Sequence, residues 1–152
     1  MKGEHGDRWI PDIFEAAEAS SPSHLLDTKR LVLRPVVLAD VDGYADLLAD
    51  PDVMRYVGLV AGEVLDREEA EKLVAGATDA WPKNGYGRWS VFERDSDEFV
   101  GFTGFRREGD LPELICLLRP KFWGRGFATE ASNACLNHGF SKLGFIEVRS
   151  YC

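Results

Sequence analysis

Helical and strand-like spacings of apolar residues alternate along this chain. In some segments apolar residues recur every three to four positions, which is the spacing of a helix that buries one face. In others apolar and polar residues alternate, or a short apolar run stands between turn residues, which predicts strands. The predicted helices cover residues 41–48, 66–81 and 128–140. The predicted strands cover residues 29–34, 88–94, 98–106, 113–118 and 145–151.

These elements follow one another in the order β-α-α-β-β-β-α-β. Turns at 95–97 and 108–110 join three consecutive strands, so we expect an antiparallel meander there. The strands at 113–118 and 145–151 flank a helix, which predicts parallel neighbours joined by a right-handed crossover. The predicted fold class is therefore α/β (α+β), a mixed, mostly antiparallel sheet with helices on both faces.

The first residues differ from the rest of the chain. Residues 11–19 have the pattern of a short helix, and residues 20–23 read Ser-Ser-Pro-Ser, which is the composition of a linker. We therefore predict an N-terminal extension at 1–24, which is a tail, a dimer arm or a cap over a site. A single domain is expected at 25–152.

The charge balance excludes one class of partner. The chain has 18 basic and 26 acidic side chains, for a net charge of −8. A nucleic-acid-binding protein normally presents a basic face, so nucleic acid is not expected as a partner. An acidic surface instead favours cationic substrates such as amines.

The cysteines, the histidines and the lengths of the apolar runs indicate where the protein is expected to be located and whether it is expected to bind a metal. Cys116, Cys135 and Cys152 form no Cys-x-x-Cys motif, which favours a reducing cytosol over a disulfide framework. The 3 histidines are far apart in sequence, so no metal site is predicted. Because no segment resembles a signal peptide or reaches membrane-spanning length, we expect a cytoplasmic protein with no membrane partner.

The stretch at 119–130 contains the most distinctive chemistry. A predicted strand leads into it, a predicted helix leads out, and Gly124 and Gly126 lie between them. Free loop amides and the positive end of a helix dipole attract an anion, and glycine lets the backbone approach it closely. The loop has neither the Lys-Ser/Thr of a P-loop nor the spacing of a dinucleotide-binding loop. A structural tight turn and a nucleotide-phosphate site stay open as alternatives.

Three motifs in chain order resemble the Gcn5-related N-acetyltransferases (GNAT), in particular the RimJ/RimL branch of ribosomal-protein acetyltransferases. Residues 122–131 resemble that branch's Tyr-Trp-Gly-Lys-Gly-Tyr-Ala-Thr-Glu-Ala loop. Residues 28–35 match its Thr-x-Arg-Leu-x-Leu-Arg-Pro pattern, and residues 50–56 match its Asp-Pro-x-Val-Met-x-Tyr pattern. The resemblance covers residues 26–150.

The resemblance implies acetyl-coenzyme A as co-substrate and a set of contacts to it. The strand end at Leu117 and Leu118 would pair with the pantetheine arm. Arg119 would contact a phosphate or the adenine end of the coenzyme, or else be a solvated basic residue at the rim of the site. The implied pyrophosphate contacts are the backbone amides of Gly124, Arg125, Gly126, Phe127, Ala128 and Thr129.

The reaction implied by the resemblance requires a base. An amine must lose its proton before it attacks a thioester, directly or through water. Glu113, at the start of the predicted strand, matches a family position often occupied by a glutamate that serves as this base. A solvated glutamate at the edge of a turn is the alternative.

Other candidate residues have simpler structural explanations. Glu130 lies in the first turn of a predicted helix, where a carboxylate is expected to satisfy backbone donors or the helix dipole. The aromatic residues at 81, 86 and 89 either wall an acceptor pocket or fill the core, and core packing is favoured. Packed or filling roles are expected for the following residues: Trp81, Tyr86, Trp89, Cys116, Cys135 and His138.

Members of the family continue beyond a strand such as 145–151, with an Asn-x-x-Ser helix and a last strand. This sequence ends at Cys152, so we expect the domain to lack that helix and strand. A truncation, a natural short form and an inactive remnant are the three explanations. The unfinished sheet edge favours pairing with a second copy as a homodimer.

These observations together predict an enzyme. It is an acetyl-coenzyme A-dependent N-acetyltransferase that acts on a primary amine, either a protein N-terminus or a small amine, by direct attack on the thioester. The alternative is a non-catalytic coenzyme A-binding or dimerisation module, and it is motivated by the expected lack of the Asn-x-x-Ser helix and the last strand.

Overall fold

The structure, a computed structural model, describes residues 24–55, 57 and 63–150. The predicted helix at 11–19 and the linker at 20–23 lie outside these residues, as do Tyr56, Tyr151 and Cys152. Six strands and four α-helices are found in the described part of the chain. The strands are β1 (Leu26–Asp27), β2 (Leu31–Pro35), β3 (Arg88–Glu93), β4 (Phe99–Glu108), β5 (Leu111–Leu118) and β6 (Arg149–Ser150). The helices are α1 (Val41–Leu48), α2 (Pro51–Met54), α3 (Arg67–Asn84) and α4 (Phe127–Ser141).

The strands form one mixed sheet in the order β1-β2-β3-β4-β5-β6. Every neighbouring pair from β1 to β5 is antiparallel, so the predicted meander is confirmed. β6 is parallel to β5, with Glu113 opposite Arg149, which confirms the predicted parallel pair. The right-handedness of that crossover stays a prediction.

The last strand is shorter than the pattern at 145–151 indicated. Phe145 has left the strand because its amide donates to the carbonyl of Gly139 at 3.0 Å and its ring packs edge-on against Phe105. Ile146 is almost fully exposed, at 97%. Phe145 therefore anchors the end of α4 rather than extending the sheet.

Helices cover both faces of the sheet, as predicted. Successive residues of a strand point to opposite faces. Phe102 of β4 stacks on Tyr44 of α1, whereas the side chain of the next residue, Thr103, lies next to Cys135 of α4. The sheet therefore separates α1 from α4.

Two local features differ from the sequence patterns. The Asp50-Pro51 break begins a short helix, α2, because the Asp50 carboxylate accepts a bond from the Asp52 amide at 2.9 Å. Pro82 does not end α3, which continues to Gly85 with φ of +81°. The neighbouring Trp81 is buried, and its indole N–H donates to the Arg88 carbonyl at 2.9 Å, which anchors this last turn to β3.

A capping box begins α3. The Asp66 carboxylate accepts from the Glu69 amide at 2.8 Å, and the Glu69 carboxylate accepts from the Asp66 amide at 2.9 Å. Asp40, by contrast, does not cap α1 with its side chain. Its carboxylate is instead buried and bound to Arg34 and Ser90.

Trp81 and Trp89 lie in the core, as expected, with their rings edge to face at 4.9 Å. His138 is also packed, since it is 7% exposed and its ring contacts Trp89. Tyr86 is partly buried against Phe105.

No helix in the described ranges is long and apolar enough to cross a bilayer.

Candidate functional site

The glycine loop joins the end of β5 to the start of α4. After Leu118 the chain makes a 3-10 turn at Pro120–Phe122. Gly124 and Gly126 follow, with φ of +75° and +79°. This left-handed conformation strongly favours glycine, which explains why both positions lack a side chain. The loop therefore turns twice within a few residues and enters α4 at Phe127.

The first turn of α4 leaves backbone donors free for a ligand. The amides of Phe127, Ala128 and Thr129 have no intrahelical acceptor, because the first N–H groups of any helix lack one. Gly126 occupies the N-cap position and has no side chain to accept from them. Together with the helix dipole, these amides favour an anion at this end of α4.

A cavity of about 440 Å³ lies against these amides. It extends from the end of β5 across the 3-10 turn to the first turn of α4. Its described lining contains no carboxylate side chain. The lining residues are Cys116, Leu118, Phe122, Trp123, Gly124, Gly126, Phe127, Ala128 and Thr129.

Most of the predicted coenzyme contacts meet at this cavity. Leu118 and the loop glycines line it together with the first residues of α4. Leu117 is next to it in β5, is partly buried and points to the opposite face of the sheet. The backbone of Leu117 is nevertheless part of the same strand end.

Arg119 and Arg125 lie around the cavity rather than in its lining, and both side chains are paired. Arg125 binds Glu93 at 2.9 Å, and Arg119 lies 3.7 Å from Glu98 and donates to the Phe99 carbonyl at 3.1 Å. Arg119 also lines a second hollow of about 340 Å³ at the end of α1. Arg119 and Arg125 are thus each paired with a carboxylate in this structure, and a bound phosphate would have to replace that carboxylate.

Glu130 binds the turn that precedes β2. One carboxylate oxygen accepts from the Thr28 hydroxyl at 2.5 Å and from the Arg30 amide at 2.9 Å. The other accepts from Nε of Arg30 at 2.7 Å. Burial acts to raise the pKa of Glu130, but these bonds outweigh it and leave the pKa lowered. Glu130 therefore satisfies backbone and side-chain donors, as expected, and fixes α4 to the β1–β2 turn.

Glu113 is buried, at 2% exposure, and does not line the cavity. Its carboxylate accepts from Nε of Arg106, the residue opposite it on β4. Arg106 is half exposed, so the pair connects the buried carboxylate to the surface. Cys116, which lines the cavity, is three positions further along β5 than Glu113, a span of about 10 Å.

The two described cysteines have different surroundings. Cys135 is fully buried against Thr103, which agrees with a filling role. Cys116 lines the cavity, and burial raises the pKa of its thiol. A thiol with a raised pKa is a poor nucleophile at neutral pH.

Sequence patterns missed part of the site. Phe122, Trp123 and Cys116 line the cavity, and the indole N–H of Trp123 donates to the Leu118 carbonyl at 2.8 Å. The aromatic pair at 122–123 belongs to the loop motif, so its position was a signal for this role. Nothing in the sequence spacing indicated that Arg30 would contact the loop.

A coenzyme pyrophosphate fits the residues present. The cavity offers N–H donors and no described carboxylate, which suits an anion. A Cβ added to Gly124 would meet no atom within 4 Å, so the space beside the loop is open. At Gly126 it would meet only the end of the Arg30 side chain, at 3.3 Å.

Comparison with known proteins decides the family. The family model described as "Acetyltransferase (GNAT) domain" matches residues 30–152. The chain belongs to the GNAT acetyltransferase family. Its relatives and its fold are those of N-acetyltransferases, so acetyl transfer is its general activity.

GNAT relatives match most of the chain. An uncharacterised N-acetyltransferase of Bacillus licheniformis, p20, is 30% identical over 121 residues, which are 78% of this chain and 67% of p20. The acetyltransferase of Agrobacterium tumefaciens is a solved structure with a TM-score of 0.70 and 27% identity, and the match covers 82% of this chain and 71% of that one.

RimL, a ribosomal L7/L12 alpha-N-protein acetyltransferase, is a structural neighbour solved in complex with coenzyme A. Its TM-score is 0.65 and its identity 18%, with 76% of this chain and 67% of RimL covered. At this identity the likeness establishes the shared GNAT fold only.

Proposed function

We propose that this GNAT domain transfers the acetyl group of acetyl-coenzyme A to a primary amine, either a protein N-terminus or a small amine. The observation that carries the proposal is the cavity that runs from the end of β5 to the free amides of α4. It combines a strand end with an anion site. A coenzyme with a peptide-like arm and a pyrophosphate needs both.

The coenzyme contacts follow from that arrangement. The pyrophosphate is held by the backbone amides of residues 124–129, and the pantetheine arm pairs with β5 at Leu117 and Leu118. Arg119 and Arg125 supply positive charge at the rim once a phosphate replaces Glu98 and Glu93 as their partners. RimL, which shares the fold, binds coenzyme A in its crystal structure.

Acetyl-coenzyme A supplies the activated acyl group when it is bound. In the proposed reaction the amine nitrogen forms a bond to the acetyl carbon, the C–S bond breaks, and the coenzyme leaves as a thiol. Glu113 takes the amine proton, directly or through water. Its carboxylate is paired with Arg106, whose half-exposed side chain reaches the surface.

The acceptor is an amine that an acidic protein attracts. With a net charge of −8, the domain favours cationic partners over nucleic acid. The loop at 122–131 and the neighbouring RimL structure support a place in the RimJ/RimL branch, whose named member acts on a ribosomal protein. A cytoplasmic location would suit such an acceptor.

A second candidate rests on the exposed end of the sheet. β6 is the last strand in the order of described strands, and both of its residues are exposed. An edge strand offers unpaired N–H and C=O groups to another strand. The edge supports a homodimer, and it also supports a non-catalytic coenzyme A-binding or dimerisation module.

Calorimetric titration with acetyl-coenzyme A, followed by a thiol-release assay, tests the proposal. Saturable binding with amine-dependent thiol release from a panel of N-terminal peptides and small amines is the expected result. Binding without release would favour the non-catalytic module. Binding of ATP but not of acetyl-coenzyme A would contradict both.

A further inference from the structure

Arg30 contacts the glycine loop from outside the cavity. Its Nε donates to Glu130 at 2.7 Å, and its Nη1 donates to the carbonyl of Arg125 at 2.8 Å. Its guanidinium also lies 4.4 Å from the centre of the Phe127 ring. One side chain from the β1–β2 turn therefore touches the loop at three points between residues 125 and 130.

The bond to the Arg125 carbonyl fixes the direction of the next amide. In a trans peptide the C=O and the following N–H point in opposite directions, because the unit is planar. The Arg125 carbonyl points to Arg30, so the N–H of Gly126 points away from Arg30. Gly126 itself lines the cavity.

Gly126 would not keep this orientation unaided. A glycine has more freedom to rotate about its backbone bonds than any other residue, and glycines flank Arg125 on both sides. The rotation of the 125–126 peptide is therefore limited mainly by partners such as Arg30. Glu130, whose pKa is lowered, holds the guanidinium in place across neutral pH.

We infer that Arg30 is a positioning residue, which orients the Gly126 N–H toward the coenzyme pyrophosphate. This inference rests on the proposed function for its ligand, but the orientation itself is a property of the unliganded chain. Arg30 acts through the loop and does not touch the ligand. The fork of its guanidinium matters because two different acceptors, a carboxylate and a carbonyl, are held at once.

The test compares Arg30→Gln, Arg30→Lys and a matched control, Arg94→Gln. Arg94 has the same exposure as Arg30, 41% against 42%, and donates to the same turn at the Thr28 carbonyl. Its ion pair is with Asp27, away from the glycine loop. Arg94→Gln therefore removes a similar surface interaction without freeing the 125–126 peptide.

Binding of acetyl-coenzyme A, measured by calorimetry, is the first readout. Arg30→Gln should raise Kd about tenfold, the effect of losing one well-oriented donor to a charged ligand, while Arg94→Gln stays within about twofold. Arg30→Lys keeps the charge but not the fork, so it should resemble Arg30→Gln. Wild-type affinity in either Arg30 variant would overturn the inference and leave the proposed function intact.

The second readout needs no ligand. The residual dipolar coupling of the Gly126 N–H reports the direction of that bond, and it should change in Arg30→Gln but not in Arg94→Gln. An unchanged coupling would overturn the inference. If the coupling changes in Arg30→Gln but the wild-type protein does not bind acetyl-coenzyme A, the positioning of the Gly126 N–H by Arg30 is supported. The proposed function is then contradicted.

Discussion

Arg34 and Asp40 form a buried, two-pronged ion pair. Nη1 and Nη2 of Arg34 donate to the two carboxylate oxygens of Asp40 at 2.7 and 2.6 Å, and both side chains are at most 6% exposed. Asp40 also accepts from the Ser90 hydroxyl on β3 at 2.7 Å and from the Val37 amide at 3.0 Å. The pair joins the end of β2 to the start of α1.

The first prediction concerns this pair. Asp40→Asn should lower the free energy of unfolding by about 3–5 kcal/mol, because it leaves the Arg34 charge buried without its partner. Thermal or urea unfolding measures the loss. The control is Asp42→Asn, which breaks the exposed, solvent-screened pair with Arg67 and should change the free energy of unfolding far less. Equal effects in the two variants would show that burial of the pair is unimportant.

The second prediction tests the coenzyme loop. Gly126→Glu should abolish measurable acetyl-coenzyme A binding, because it adds a negative charge to the turn whose amides are expected to hold the pyrophosphate. Its Cβ would also press on the Arg30 guanidinium that contacts the loop. A glutamate at position 126 is also strained, because the backbone there is in the left-handed region. Gly85→Glu is the control, since Gly85 has nearly the same φ, +81° against +79°, and lies at the end of α3.

Both glycine variants should lose similar stability, about 1 kcal/mol from the left-handed position. Only Gly126→Glu should lose the coenzyme in calorimetric titration. Unchanged affinity in Gly126→Glu would contradict the loop assignment. An equal loss of affinity in Gly85→Glu would trace the effect to stability.

The third prediction concerns the base. Glu113→Gln should reduce amine-dependent thiol release about 100-fold or more, since general-base catalysis has that magnitude. Coenzyme affinity should change little, because Glu113 does not line the cavity. Glu71→Gln, which removes an exposed carboxylate on α3, should leave both quantities unchanged. Full turnover in Glu113→Gln would remove Glu113 from the mechanism.

The fourth prediction concerns pH. Nδ1 of His24 lies 2.9 Å from Nε2 of His138, and burial lowers the pKa of both residues from the ordinary value of 6.5. Nearby Lys142 lowers the pKa of His138 further. The unfolded chain therefore binds more protons than the folded chain below about pH 6.5, so the protein should lose stability as pH falls.

The melting temperature should decline between about pH 7.5 and about pH 5.5, above the range where carboxylates titrate. His138→Gln should flatten this decline, because Gln cannot be protonated. A slope that is the same in the variant and the wild type would show that the histidine pair is not responsible.

The sequence by itself determined the kinds of element and most of their order. Helical and alternating spacings located three helices and five strands, because these periods follow directly from which face of an element is buried. The glycine loop was also predictable, since residues 124 and 126 adopt a conformation that strongly favours glycine. Local patterns erred where tertiary contacts replace the local rule, as at Pro82 and Phe145.

Tertiary structure alone decided how the motifs work together. Thr28 and Glu130 are 102 positions apart, and no period in the sequence relates them, yet they share a hydrogen bond. The same holds for Arg30 and the Arg125 carbonyl. The β1–β2 turn lies beside the start of α4 because that helix packs across the sheet and contacts β1 and β2 as well as β4 and β5. Sequence periodicity reports only on neighbouring positions within one helix or strand. The orientation of a loop amide depends on contacts with residues that are distant in the sequence.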